Sequence, residues 1–285
     1  MIEKNTAESH VHVPEKLFVD TQLCIDAGKG TISASDWRRF AEFVNRDYSY
    51  CISPLTFVEL AIGIARGPEQ YFDRNRESVR ALWSLSAARV VFSIPRYFVL
   101  RSVFGLQPPA EAHLENDFEL CVRVILAARD KAQLAIGPVA VPGHEQGGYK
   151  FNLEKMIAEA ETFMTAFSNA FNFARGSRSV RVTKASWIDT CIRFLGVADT
   201  DENRAKFENA LDAEFVLESE FDRLRRSGNY DFCRHRSDLM DCQQLLYLCD
   251  PTVNLVTGDE KLRNRTISSS QACRIHLFEE LLHST

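Results

Sequence analysis

The sequence predicts an α/β fold with a largely parallel central sheet. Three observations carry that expectation. Short continuous apolar runs read as strands covered on both faces, amphipathic stretches at helical spacing lie between them, and the strand pattern returns near the carboxyl end. The first run is residues 16–20, in which Leu17, Phe18 and Val19 are uninterrupted before Asp20. Ser35 and Asp36 then open an amphipathic stretch bearing Trp37, Phe40, Phe43 and Val44. A second strand is expected at 50–53. Ser53-Pro54 starts a helix, because serine caps exposed amides and proline at the first helical position loses no needed hydrogen bond; Gly67-Pro68 ends it. A longer helix over about 69–88 leads into 89–94, read as a buried strand bounded by Pro95. At the far end, 237–249 reads as a helix, 253–257 as a buried strand, 259–264 as a short helix, 273–277 as a last strand and 278–283 as the terminal helix.

Between these ends the chain changes character. Residues 111–133, 153–174, 179–195 and 202–226 all read as helical, with joints at Gly137-Pro138 and Pro142-Gly143. The expected organisation is an N-terminal tail over 1–15 and one domain over 16–285, with a helical insertion at about 98–232. The series Phe163, Phe167, Phe171 falls on one helical face and reads as core rather than as a base-stacking platform.

Composition narrows the function. The chain has 285 residues, 45% of them hydrophobic, and a formal net charge of −5, which excludes a protein that coats nucleic acid by bulk positive charge. Arg89, Arg96 and Arg101 interrupt the most apolar region before it reaches membrane-spanning length. The polar N-terminus lacks the order of a secretory signal, so no membrane partner and a cytoplasmic location are expected. Eight cysteines lie singly, without a Cys-x-x-Cys pair, and read as buried reduced thiols; Cys233-Arg234-His235 lacks the second pair that zinc requires. Two basic runs could face phosphates: Arg175, Arg178, Arg181 and Lys184, and then Arg223, Arg225, Arg226, Arg234 and Arg236. The bland reading of each is a solvated helix face. Arg178, Arg181, Arg234 and Arg236 are the substrate-binding candidates.

Four acids stand out by context. Asp20 and Asp259 each follow an apolar strand, at the sheet edge where open parallel sheets bind ligands, although either could simply cap a helix. Glu59 is embedded in Leu55-Thr56-Phe57-Val58-Glu59-Leu60-Ala61-Ile62, where an ionised group costs free energy unless it is paired or coordinates a cation, the alternative being a solvent-facing position on an amphipathic helix. Asp241 lies near the start of a late helix with Asp238 one turn before it, so the helix dipole explains Asp238 better than Asp241. Such a cluster would repel itself unless a cation sat among its members, and oxygen-only ligands suit Mg²⁺ or Mn²⁺. Asp20, Glu59, Asp241 and Asp259 are therefore the candidate catalytic and metal-binding residues, with Asp238 in reserve. Hydrolysis of a phosphodiester bond is the reaction such a site serves best. Thr21 and Thr257 could orient a ligand or water.

At these positions the chain resembles the PIN-domain nucleases, a family that includes toxin ribonucleases of toxin–antitoxin modules. The matching pieces are Leu17-Phe18-Val19-Asp20-Thr21-Gln22, Ile52-Ser53-Pro54-Leu55-Thr56-Phe57-Val58-Glu59-Leu60, Asp241-Cys242-Gln243-Gln244 and Leu255-Val256-Thr257-Gly258-Asp259, in the family's order. Gln22 departs from the usual Asn, and the helical middle is unmatched. The resemblance implies a three-layer α/β/α fold, a Mg²⁺ or Mn²⁺ site at the four acids, RNA as substrate with DNA as the variant, and an antitoxin-like protein or a second copy as partner. The competing expectations are a catalytically silent PIN-like module that binds RNA or protein, and an α/β enzyme for a small phosphorylated metabolite. The latter is disfavoured because no glycine-rich phosphate loop is present.

Overall fold

Five parallel strands make the sheet in a computed structural model that describes residues 14–107, 114–136, 139–141, 158, 182–228, 230 and 236–283. They are β1 (Lys16–Val19), β2 (Ser49–Ile52), β3 (Arg89–Val91), β4 (Val253–Thr257) and β5 (Ile275–Leu277), in the spatial order β3-β2-β1-β4-β5. The two ends of the chain meet at the centre, where Leu17 is paired with Asn254 and Val19 with Val256.

Alternate residues of each strand enter different cores, which makes three layers. Leu17, Val19, Tyr50, Ile52 and Val256 join one core with helices α1 (Thr21–Lys29), α2 (Ala34–Asp47), α3 (Pro54–Arg66) and α4 (Phe72–Ser84). Phe18, Cys51, Val253, Leu255 and Ile275 face the other. There Phe18, Phe92, Phe98 and Tyr247 form an aromatic cluster with centroids 4.8–5.8 Å apart.

The helices from the middle of the chain complete both layers. α5 (Pro95–Phe104) packs on the second face; α6 (Leu114–Ala127) and α7 (Lys131–Ile136) contribute to the first core; α8 (Lys184–Leu195), α9 (Asp201–Ala210) and α10 (Asp212–Arg226) contribute to the second. After them come α11 (Arg236–Leu245), a 3₁₀ turn (Leu246–Cys249), α12 (Glu260–Arg265) and α13 (Phe278–His283). Among the described residues no helix is long and apolar enough to cross a membrane.

Several local expectations need correction. The strand read at 89–94 is three residues long and lies at the sheet edge, with Val90 50% exposed rather than buried. α1 and α5 occupy stretches with no helical expectation. The single helix expected at 202–226 breaks at the buried Leu211, where Gln271 acts as a staple: its Nε2 donates to Ala210 O at 2.7 Å and its Oε1 accepts from Ala213 N at 2.8 Å. Cys273 is exposed and Cys191 only partly buried, unlike the other described thiols. The helix expected at 153–174, its phenylalanine series and Cys233 lie outside the described residues.

α1 packs most extensively on α4, and the approach is close enough to require glycine. A Cβ at Gly28 would sit 2.3 Å from Ser78 Oγ and 2.5 Å from Ser78 N, a backbone atom that cannot turn aside. Alanine in a helix interior gains about 1 kcal/mol over glycine, but overpacking against backbone costs roughly 1–3 kcal/mol or more. Gly28→Ala is therefore expected to lower Tm by roughly 5 °C. The thermal melt that checks it should include Gly30→Ala, which meets no atom but carries a φ of +74°. A Gly28→Ala melt equal to wild type would show that the helices do not touch as described.

Candidate functional site

The order of strands reverses beside β1: β2 and β3 extend to one side of it, β4 and β5 to the other. At such a point the connections leave in opposite directions and open a crevice at the carboxyl ends of the strands. Asp20 follows β1 and Asp259 follows β4 on that edge. The Asp20 amide extends the ladder by donating to Val256 O at 3.0 Å, which fixes where its side chain emerges.

Both residues also cap helices. Asp20 Oδ1 accepts from Leu23 N at 2.8 Å at the start of α1, and Asp259 Oδ1 accepts from Lys261 N at 2.7 Å at the start of α12. Capping uses one carboxyl oxygen of each and leaves the other. Asp20 Oδ2 accepts the Thr257 hydroxyl proton, and the same hydroxyl oxygen accepts from Asp259 N at 2.8 Å. Thr257, fully buried, thereby ties the two strand ends together.

Glu59 enters from α3, whose Ser53 cap and Pro54 start it directly after β2. Thr56 anchors this helix to the central strand by donating to Val19 O at 3.1 Å. Glu59 Oε2 accepts from the Thr21 hydroxyl and from Gln244 Nε2, the latter at 3.4 Å. Asp241, on α11, has no hydrogen-bond or ion-pair partner among the described residues. Asp238, one turn earlier, accepts from Tyr230 Oη at 2.5 Å and lies 4.0 Å from Arg265 Nη1.

The four acids feel one another. Burial pushes the Asp20 carboxyl up to about 6, against the hydrogen bonds from Thr257 and Leu23 and helped by Asp259 and Asp26. Burial likewise pushes Glu59 up to about 7, with Asp20 adding repulsion. Asp241 is held well above the usual carboxylate range by burial first, then by Glu59, Asp20, Asp238 and Asp259. The fold thus gathers the predicted acids into one electrostatic neighbourhood. Among the described residues, however, no group of three or more His, Cys, Asp or Glu side chains is arranged to hold a metal ion.

Gln244 is a site residue that sequence reasoning missed as such. Its signal was a polar side chain three residues after Asp241 in an apolar context; it is 2% exposed. Gln22 turns away, bonding Asp26 Oδ1 at 2.9 Å along the surface of α1.

The basic runs fare differently. Arg223 pairs with Glu220, Arg226 with Asp222, and Lys184 lies 3.6 Å from Asp212, each partly or well exposed as a solvated face requires, whereas Arg225 pairs with the buried Asp222 and is itself only 13% exposed. The 3- and 4-residue spacings from Glu220 and Asp222 were the available signal. Arg178, Arg181 and Arg234 lie outside the described residues, as does the Arg236 side chain. Comparisons with protein-family models, with curated proteins and with solved structures each found no match.

A raised carboxylate pKa means that the folded state holds the proton more tightly than the unfolded chain. The associated stability is present below the unfolded values near 4 and is lost as pH rises through about 6 for Asp20 and about 7 for Glu59. In chelator, Tm is expected to fall on the order of 5 °C between pH 5 and pH 8. Asp20→Asn combined with Glu59→Gln should flatten that slope. A wild-type melt independent of pH across the window would contradict the burial of these carboxyls and the repulsion added to it.

Proposed function

We propose that the chain is a metal-dependent nuclease of the PIN-domain kind, acting endonucleolytically on RNA. One observation supports the reading above all: two acids stand at the carboxyl ends of neighbouring parallel strands where the strand order reverses, with Glu59 and Asp241 within electrostatic reach. RNA as substrate follows from the resemblance.

The donor chemistry fits a hard divalent cation. The acids offer only oxygen, repel one another, and include Asp241 without a protein partner and Asp259 with an oxygen left over from capping. Asp20, Asp241 and Asp259 would hold Mg²⁺ or Mn²⁺, with Asp238 the nearest further acid. Such an ion supplies Lewis acidity toward a phosphate oxygen and a bound water of lowered pKa. Glu59, pushed up to about 7, can take or hold a proton at Oε1 near neutral pH while Thr21 and Gln244 fix Oε2. Thr257 keeps the Asp20 carboxyl in one orientation through its hydroxyl.

A second reading, a catalytically silent PIN-like module that binds RNA or protein, is favoured by a different observation. Glu59 and Asp20 are satisfied by protein donors, and among the described residues no three acids are arranged to hold a metal ion. Two measurements separate the readings. The nuclease should cleave single-stranded RNA in Mn²⁺, and Asp20→Asn or Asp259→Asn should lower the rate roughly a hundredfold or more. Asparagine preserves the helix cap, so lost activity would not report lost folding. Titration calorimetry should show Mn²⁺ binding that Asp259→Asn abolishes. Neither cleavage nor heat up to millimolar Mn²⁺ would leave the silent module standing.

A further inference from the structure

A polyanion approaching four carboxylates needs a cation at their rim, and α12 carries three, Lys261, Arg263 and Arg265. Arg265 is the one seated on an aromatic ring. It closes the helix that Asp259 opens, yet among the described residues its guanidinium makes no hydrogen bond. Its ion-pair partner is Asp238, at a loose 4.0 Å, whose Oδ2 already accepts the Tyr230 hydroxyl at 2.5 Å, and Glu220 lies within electrostatic reach of it. The Phe221 ring lies beneath the guanidinium at 5.1 Å, and Tyr230 stacks on that ring at 5.2 Å. The Arg265 side chain remains 30% exposed. A planar fork of donors is thus held on an aromatic floor, partly open to solvent, beside Asp238, which precedes Asp241 by one helical turn on α11. That is the equipment for gripping a phosphate in two-pronged fashion.

We propose that Arg265, seated on Phe221 and flanked by Asp238 and Tyr230, is a phosphate-binding subsite for the backbone of a single-stranded RNA entering the carboxylate site. The assignment rests on the nuclease reading for the identity of the ligand. In the free protein Asp238 competes for the guanidinium; in the complex a phosphate two-fold bonded to Arg265 displaces it, while Tyr230 keeps Asp238 in place. A lysine would keep the charge but lose the fork, so Arg265→Lys should fall between wild type and a neutral variant.

The experiment is fluorescence polarisation of a labelled oligouridylate of about a dozen nucleotides, titrated with the full chain in EDTA at several salt concentrations. Arg265→Gln is expected to weaken binding roughly tenfold, the value of one charge-assisted contact. It should also reduce the slope of log affinity against log salt by about one. Asp238→Asn, which can still accept from Tyr230, should tighten binding several-fold by removing the competing charge. Wild-type affinity and salt slope in Arg265→Gln, or weakened binding in Asp238→Asn, overturns the subsite. If Arg265→Gln does not fold, the Asp238→Asn result decides alone. Cleavage in Mn²⁺ tests the carboxylates and binding in EDTA tests Arg265, so either conclusion can fail without the other.

Discussion

Parallel pairing of β1 with β4 is the interaction on which the rest of the molecule depends. The register that sets Val19 opposite Val256 carries the ladder one residue further, to the Asp20 amide, and brings Thr257 beside the Asp20 carboxyl. Parallel strands require crossovers that cover the faces, so the same pairing dictates a sandwich in which Leu17 and Val19 face one helical layer and Phe18 the other. After Lys16, which reaches Asp250 at the strand's start, the central strand is apolar until it ends, and the next polar residue is Asp20. Where the hydrophobic requirement stops, the charged site begins.

Helix capping and a cation site are usually rival explanations for an acid after a strand. Here they are compatible at Asp259, where the cap engages one oxygen and leaves the other, while at Asp20 the second oxygen accepts the Thr257 hydroxyl. The cap adds something to the chemistry: it removes rotational freedom from Asp20 and Asp259 before any ligand arrives, as the Thr21 and Gln244 bonds do for Glu59. The cost of this preorganisation is like-charge repulsion held in place by the fold, a strain that a neutral scaffold would not carry.

Much of this was legible in the sequence, and the failures have physical causes. Residues 16–19 and 253–257 could be read because a strand buried on both faces shows apolar neighbours in succession, Leu17 to Val19 and Leu255 to Val256, with Asn254 the polar interruption. α3 could be read because Ser53 and Pro54 act locally. α1 could not: only Leu23 and Cys24 of its nine residues are buried, and its contact with α4 depends on the bareness of Gly28, which carries no periodic signal. The break at Leu211 was invisible for another reason. Its cause is the amide of Gln271, sixty residues further on, substituting for backbone bonds. β3 was misread as buried because Val90 and Val91 suit an interior, whereas an edge strand has a neighbour on one side only. At the site, the acids were found from strand ends and apolar context. The hydroxyl and amide groups that hold them could be no more than suggested, since which oxygen meets which donor is set by the tertiary fold.

The distance along the chain between β1 and β4 has a consequence for the protein's synthesis. The partner strand of residues 16–19, at 253–257, is made more than two hundred residues later, roughly ten to fifty seconds at ordinary elongation rates. Until then β1 can pair only with β2, the hydroxyl of Thr257 does not exist, and Asp20 has no acid across the strand from it. A chain built this way cannot bring Asp20 and Asp259 together, with the Thr257 hydroxyl between them, until β4 has been made.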